Sequence, residues 1–342
     1  MPVEPLKGCG LTAIALALGV ASVPVMATAA TGVPAPTSTP NYPKTTGSFT
    51  RSQGVIGGRP RSFFVYEPRN LKPGAPLLLA FHGGGGDGGE AREGSGGEFD
   101  LLADRYGFVV AYPDGINRSW NGCRKMQNAT RERRGIDDIS FVDAMIAQEI
   151  ARRHIDPKHV FAYGHSNGGA LAFRLALERP EKFAGIAVVS SNLPVADNME
   201  CEPRNVPIPV MVINGTADPV NPYTGGTNRR GSSFGRTLST DETVQYFVKL
   251  NGLTDAPQIT PLPHQNDADK TWVEQISWTA PGKPSVVLYT IHGGGHVVPQ
   301  PYYRFPNVVG AQTKDLDAPA AIWDFFMKET GIASGLAAQQ VQ

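Results

Sequence analysis

Gly164, His165, Ser166, Asn167 and Gly168 form a Gly-x-Ser-x-Gly pentapeptide. Alone that pattern is a weak signal, because glycine-rich turns with an incidental serine are common. Set between a strand and a helix, it becomes the sharp turn that lifts a serine hydroxyl above a sheet edge. The apolar run at 160–163 before it, and Leu171, Leu175 and Leu177 after it, supply that setting. Serine is a poor nucleophile at neutral pH and needs a base to take its proton. The chemistry to look for is acyl transfer through a serine ester, which also needs an acid and donors for a negative oxygen.

In such a site the acid and base follow the serine in the order Ser, Asp, His, each just past a strand. The run at 210–213 leads into Asn214, Gly215, Thr216, Ala217 and Asp218, which places Asp218 after the second strand beyond the serine; Asp197, after the first, is the competitor. The run at 286–291 leads into His292, three glycines and His296. His296 lies past the glycines, where a flexible turn can swing an imidazole over the serine, whereas the pleat fixes the direction of His292. His154, His159 and His264 fit no such loop and read as surface residues, and His165 reads as packing under the turn. For the negative oxygen, the run at 77–81 opens into His82, Gly83, Gly84, Gly85 and Gly86. That loop position offers one backbone N–H, and Asn167, after the serine, offers the other. Losing one such donor costs roughly 3 kcal/mol of transition-state stabilisation. A glycine run can also cradle phosphate, but no GxxxxGK[ST] pattern occurs, and no Cys/His grouping has structural zinc spacing. Neither a metal nor an organic cofactor is expected.

These residues need a scaffold that brings loop ends together. Apolar runs at 63–66, 77–81, 108–112, 160–163, 186–190, 210–213 and 286–291 are continuous rather than alternating, the mark of strands covered on both faces of a parallel sheet. Between them, Asp137 and Asp138 can cap a helix carrying Ile139, Val142, Met145, Ile146 and Ile150 on one face. A second helix begins after Ser166 and stops at Pro180, and two more are expected at 243–250 and 320–328. Alternating strand and helix predict one doubly wound α/β domain over 48–335. The chain has 342 residues, 41% of them hydrophobic, with 31 basic and 31 acidic side chains, which excludes a disordered acidic tail and a general polyanion binder. Nucleic acid is therefore not an expected partner.

Residues 1–29 read as a secretory signal: Lys7 precedes an apolar run at 11–26, and Ala27, Thr28 and Ala29 form a small-residue cleavage pattern. That run is short of the ~20 residues a bilayer core needs, so stable membrane insertion is not expected. A Pro- and Thr-rich tether follows at 30–47. Cleavage leaves two cysteines, Cys123 and Cys201, in an oxidising compartment where a disulfide between them is expected.

The string from Phe99 through Tyr112, Pro113, Asp114, Gly115, Ile116, Asn117, Arg118, Ser119 and Trp120, with Ile136, Asp137, Asp138 and then Gly164 to Gly169, resembles the secreted polyhydroxybutyrate depolymerase-like esterases. These are α/β-hydrolases related to bacterial feruloyl and acetylxylan esterases. Asn214 to Asp218, then Pro222, Tyr223, Thr224, Gly225 and Gly226, and finally Gly293 to His296, extend the resemblance over most of residues 48–330. It implies Ser166 as nucleophile, Asp218 as acid, His296 as base, and Gly84 and Asn167 as oxyanion donors. Trp120, Tyr223 and Tyr302 are candidate aromatic contacts around the cleft. Family members often carry His-x-Trp-Pro-Gly at the base; here Val297, Val298, Pro299 and Gln300 follow, so an aromatic wall is expected to be missing. With no adsorption domain expected after residue 330, soluble hydroxyalkanoate oligomers or related esters are the expected substrates of a secreted, monomeric hydrolase. Feruloyl or acetylxylan ester hydrolysis is the first alternative. An acyltransferase, a peptidase and a non-catalytic polymer-binding protein are the others.

Overall fold

The computed structural model describes Met1, Tyr42 and residues 44–130, 133–227, 234–265 and 269–332. The expected signal and most of the tether lie outside the described residues. In chain order, β1 (Ser48–Ile56) and β2 (Arg59–Glu67) form a hairpin, followed by β3 (Leu77–Phe81), α1 (Gly88–Gly94), α2 (Glu98–Tyr106) and β4 (Val109–Pro113). Next come α3 (Lys125–Asn128), α4 (Asp138–Arg153), β5 (Val160–His165), α5 (Asn167–Glu178), β6 (Gly185–Val189) and β7 (Val210–Gly215). A short ribbon of β8 (Gly226–Thr227) and β9 (Arg236–Thr237) precedes α6 (Thr240–Leu250), β10 (Gln258–Pro261), β11 (Trp272–Ala280), β12 (Lys283–His292) and α7 (Ala318–Thr330).

The main sheet runs β1-β2-β4-β3-β5-β6-β7-β12-β11-β10. From β4 to β12 in that order the strands are parallel, and an antiparallel pair closes each edge. Period-two alternation divides the core. Leu77, Leu79 and Phe81 enter one apolar cluster with Phe141 of α4, Leu171 of α5 and Phe247 of α6. Leu78 and Ala80 enter the other with Phe99 of α2 and Trp323 of α7. Burying each large apolar side chain stabilises the fold by roughly 1.5–3 kcal/mol, so continuous apolar strands are needed wherever both faces are covered.

From β3 the chain passes to β4 through α1 and α2 on one face, whereas from β5 it passes to β6 through α5 on the other. Right-handed crossovers in opposite directions require this. The loops leaving the neighbouring strands β3 and β5 therefore diverge and leave a crevice at their carboxyl ends. His82 to Gly86 and Ser166 stand at that crevice.

Several expectations change. The run at 63–66 belongs to β2, which is antiparallel to both neighbours; Phe63, Val65 and Tyr66 are buried, and only the first two residues of the strand, Arg59 and Pro60, are exposed. Of the two aspartates expected to cap α4, Asp137 does so, accepting from Ser140 N at 2.9 Å. Asp138 turns into the core instead, where its carboxylate lies 2.7 Å from Arg61 Nη2 and accepts from Asn121 N at 2.8 Å. The expected disulfide, by contrast, is present: Cys123 and Cys201 are joined. Among the described residues no helix is long and apolar enough to cross a membrane.

Candidate active site

Ser166 occupies the turn between β5 and α5 at φ 54° and ψ −113°, a conformation L residues seldom adopt. The turn survives because its glycines let the backbone double back. A Cβ on Gly164 would stand 2.2 Å from Gly168 O, and one on Gly168 would stand 2.4 Å from Phe81 O. Both obstacles are backbone, so neither can move aside. The Ser166 N–H donates to Val189 O at 2.8 Å, tying the turn to β6. Among the described residues the serine hydroxyl has no hydrogen-bond partner.

Beyond β7 and β12 the structure brings Asp218 and His296 together. His296 Nδ1 lies 2.7 Å from Asp218 Oδ2, with only 8% and 2% of the two side chains exposed. The other carboxylate oxygen, Oδ1, accepts from Val220 N at 2.7 Å and Asn221 N at 2.8 Å, so the carboxylate is aimed by the backbone. A carboxylate at Nδ1 fixes the tautomer with the proton on that nitrogen and leaves Nε2 as the acceptor. The His296 ring packs against His165, beside the serine, with centroids 5.0 Å apart. Burial first, and the neighbouring His296 second, push the His165 imidazole well below its ordinary range, so it is held neutral.

The loop carrying His296 was expected to be a flexible turn, and it is not. Thr216 N donates to Ile291 O, Ala217 N to Gly294 O, Gly295 N to Ala311 O and His296 N to Val309 O, all between 2.7 and 2.9 Å. Backbone bonds thus fasten the histidine loop to the aspartate loop on one side and to residues 309–311 on the other. Asp197, the competing acid, sits in a short 3-10 turn after β6, and His292 turns to Glu274.

On the opposite side of the serine lies the glycine loop after β3. A Cβ on Gly83 would stand 3.6 Å from Ser166 Cβ, and one on Gly84 would stand 3.5 Å from Asn167 Cβ. The backbone bonds of this loop run from Gly85 N to Arg118 O at 2.7 Å and from Gly86 N to Gly83 O at 3.0 Å; among the described residues they leave the N–H groups of Gly84 and Asn167 unspent. His82, which the sequence reading did not single out, holds the loop in place. Its Nδ1 meets Gly83 O at 2.7 Å and its Nε2 accepts from Gly115 N at 3.0 Å, a pattern that requires the neutral imidazole. Burial lowers its pKa to about 4, which keeps that form. A histidine at a strand end directly before a glycine run was the available signal.

Trp120 is not a cleft residue. It is fully buried, with its ring against His82 at 4.8 Å and Phe81 at 5.4 Å, and its Nε1 donates to His82 O at 3.1 Å. The Asn167 side chain grips its backbone, accepting from Trp120 N at 2.7 Å and donating to Trp120 O at 2.9 Å. Tyr223 lies beside the aspartate loop, its hydroxyl 3.0 Å from Thr290 Oγ1. Tyr302 lies on the loop after His296, its N–H donating to Gln300 Oε1 at 2.6 Å. An aromatic ring does stand near the base, from farther along the chain: Phe305 meets His165, which packs on His296, at 5.8 Å, edge-on. Local spacing could not reveal it, because it lies nine positions past His296.

The phospholipase/carboxylesterase family matches residues 106–243. A protein of Nocardia uniformis subsp. tsuyamanensis named "Putative esterase NocK" is 31% identical over 289 residues, covering 81% of this chain and 82% of that one. The bifunctional acetylxylan esterase/xylanase XynS20E of Neocallimastix patriciarum is 31% identical over 53% of this chain, and feruloyl esterase B of Piromyces equi is 27% identical over 65%. The chain spans only 24% and 39% of the length of those last two relatives. Among solved structures, an acetyl xylan esterase from Aspergillus awamori superposes with a TM-score of 0.50 at 19% identity, over 74% of this chain and 95% of that one, a likeness of fold. The chain belongs to the phospholipase/carboxylesterase family and is a carboxylic-ester hydrolase on the α/β-hydrolase fold.

Proposed function

We propose that this protein is a secreted serine esterase that removes acyl groups, acetyl or feruloyl, from plant cell-wall polysaccharide, with Ser166, Asp218 and His296 as its triad. The observation that carries the triad is the 2.7 Å contact between His296 Nδ1 and Asp218 Oδ2, at the sheet edge where the strained Ser166 turn also lies. As substrate binds, the unpaired serine hydroxyl turns toward His296 Nε2, a contact that commonly tightens only in the complex. His296 takes the proton while Oγ attacks the ester carbonyl carbon. The carbonyl oxygen gains the negative charge and is met by the N–H groups of Gly84 and Asn167. As the tetrahedral intermediate collapses, the C–O bond to the alcohol breaks and His296 hands the proton to the leaving oxygen. Water then attacks the acyl-enzyme by the same route and releases the free acid.

Relatives named for acetylxylan and feruloyl esters favour this substrate class over hydroxyalkanoate oligomers. The Cys123–Cys201 bridge supports export, since such bonds persist in oxidising compartments; a mature amino terminus just after Ala29 is the expected result of N-terminal sequencing. The function is tested with acetylated xylan, methyl ferulate, hydroxybutyrate oligomers and short nitrophenyl esters. Ser166→Ala is expected to lower kcat on every hydrolysed ester by a factor on the order of 10⁵ to 10⁶. Undiminished turnover in that variant would remove Ser166 from the mechanism, and faster turnover of hydroxybutyrate oligomers than of both cell-wall esters would replace the substrate class.

A further inference from the structure

Trp272, at the start of β11, is 44% exposed, yet its ring is held in place. The indole lies flat on the His292 imidazole, with centroids 3.6 Å apart and planes 6° from parallel. His292 Nε2 is in turn 3.0 Å from Glu274 Oε2. Antiparallel register makes this arrangement, setting Trp272 opposite His292 and Glu274 opposite Thr290, while Val273 points into the core from the other face. Thr290 Oγ1 then meets the Tyr223 hydroxyl. One face of this edge therefore presents an indole, an imidazole, a carboxylate and a phenol in sequence. The row ends beside the chemistry. Gly293 N, directly after His292, donates to Thr216 Oγ1 at 2.9 Å, on the loop that carries Asp218, and His296 follows on the same turn.

We propose that this row is a docking subsite for the polysaccharide part of an acylated polysaccharide, with a pyranose ring stacked on Trp272. An aromatic ring already immobilised by its neighbours loses little freedom on binding, so its contact area is converted efficiently into affinity. A pyranose offers what the row complements: an apolar C–H face for the indole and a rim of hydroxyl donors for the Glu274 carboxylate, an acceptor. A polyester chain carries carbonyl acceptors and no donors, and its carbonyls would face that carboxylate with like polarity. This charge pattern selects the polysaccharide. The placement beside the triad rests on the esterase reading; the binding itself does not.

The test separates the two. In native affinity electrophoresis, the Ser166→Ala protein is expected to be retarded by deacetylated xylan in the gel. Ser166→Ala/Trp272→Ala should run as in a plain gel, and Ser166→Ala/Trp272→Phe should recover part of the retardation. With an active serine, Trp272→Ala should raise KM for acetylated xylan about ten-fold and leave kcat/KM for nitrophenyl acetate within about two-fold. Trp272 is on the surface, so its truncation opens no core cavity. Xylan that fails to retard the Ser166→Ala protein, or retards it equally after Trp272→Ala, overturns the subsite. So does retention on a polyhydroxybutyrate film in place of xylan. Nitrophenyl acetate turnover that survives Ser166→Ala sinks the esterase reading instead, and leaves the gel result to stand by itself.

Discussion

The loop after β3 and the loop after β12 flank Ser166, and different kinds of bond fasten them. On the β12 side, backbone N–H and C=O groups of residues 216–217, 291–296 and 309–311 hold one another, and the Asp218 and His296 side chains are left to face each other. On the β3 side, side chains do the fastening. His82 ties Gly83 to Gly115, Trp120 reaches back to His82 O, Asn167 grips the Trp120 backbone, and Asp138 with Arg61 underpins Asn121. A lattice of backbone bonds survives side-chain substitution, whereas a lattice of side chains does not. The imidazole side should therefore lose chemistry without losing stability, and the glycine-loop side should lose stability first.

The largest expected effect tests the first half of that contrast. In Asp218→Asn the amide oxygen can still accept from Val220 N and Asn221 N, but its NH₂ then meets His296 Nδ1 and forces the wrong tautomer. A fall in kcat of about 10⁴ with little change in thermal midpoint is expected. A comparable loss of stability would show that the carboxylate, rather than the backbone lattice, holds the loop.

Arg61→Met tests the second half. Arg61 and Asp138 are buried together, with 2% and 1% of their side chains exposed, and the guanidinium also covers the Phe141 ring at 3.9 Å. Removing the cation strands a carboxylate whose pKa burial already raises, and should cost about 3–5 kcal/mol in denaturant unfolding. Arg61→Met/Asp138→Leu should recover most of it, since no charge is then stranded. If the double variant is no better than the single, the pair's geometry matters more than its charge.

His82 gives the smallest effect and a pH signature. Its folded pKa, about 4, lies below the ordinary 6.5, so the folded state keeps the imidazole neutral while the unfolded chain takes up a proton first. The stabilisation is complete above about pH 6.5 and is lost as pH falls toward 4, amounting to roughly 3 kcal/mol over that window. The drop in unfolding free energy between pH 7 and 4.5 should be smaller in His82→Asn than in the wild type. An unchanged drop would mean that other groups govern acid lability.

How much of this could be read beforehand follows from where each signal lives. Strands buried on both faces announce themselves as continuous apolar runs, and the parallel strands were legible for that reason. The edge strand β1 and the next-to-last strand β11 have an exposed face, so Ser48 to Ile56 and Trp272 to Ala280 mix polar with apolar residues and showed no such run. The helices α1, rich in glycine, and α2, where Glu98, Asp100 and Asp104 interrupt the apolar residues, were hidden in the same way. Ser166 was legible because the turn it needs dictates its neighbouring glycines. Asp218 was legible because strand ends can be counted. Trp120 misled, since an aromatic residue in a loop string looks the same whether it lines a cleft or props it from beneath.

The sequence alone determined the periodicities, the glycines at the serine turn and the order of nucleophile, acid and base, all of which are local or ordinal properties of the chain. Tertiary structure decided which side chains meet: His296 with Asp218 across 78 positions, Phe305 with His165, Trp272 with His292. Such contacts arise from strand register and from loops zipped together by backbone bonds, and those cooperative bonds are set by the whole sheet rather than by any one segment.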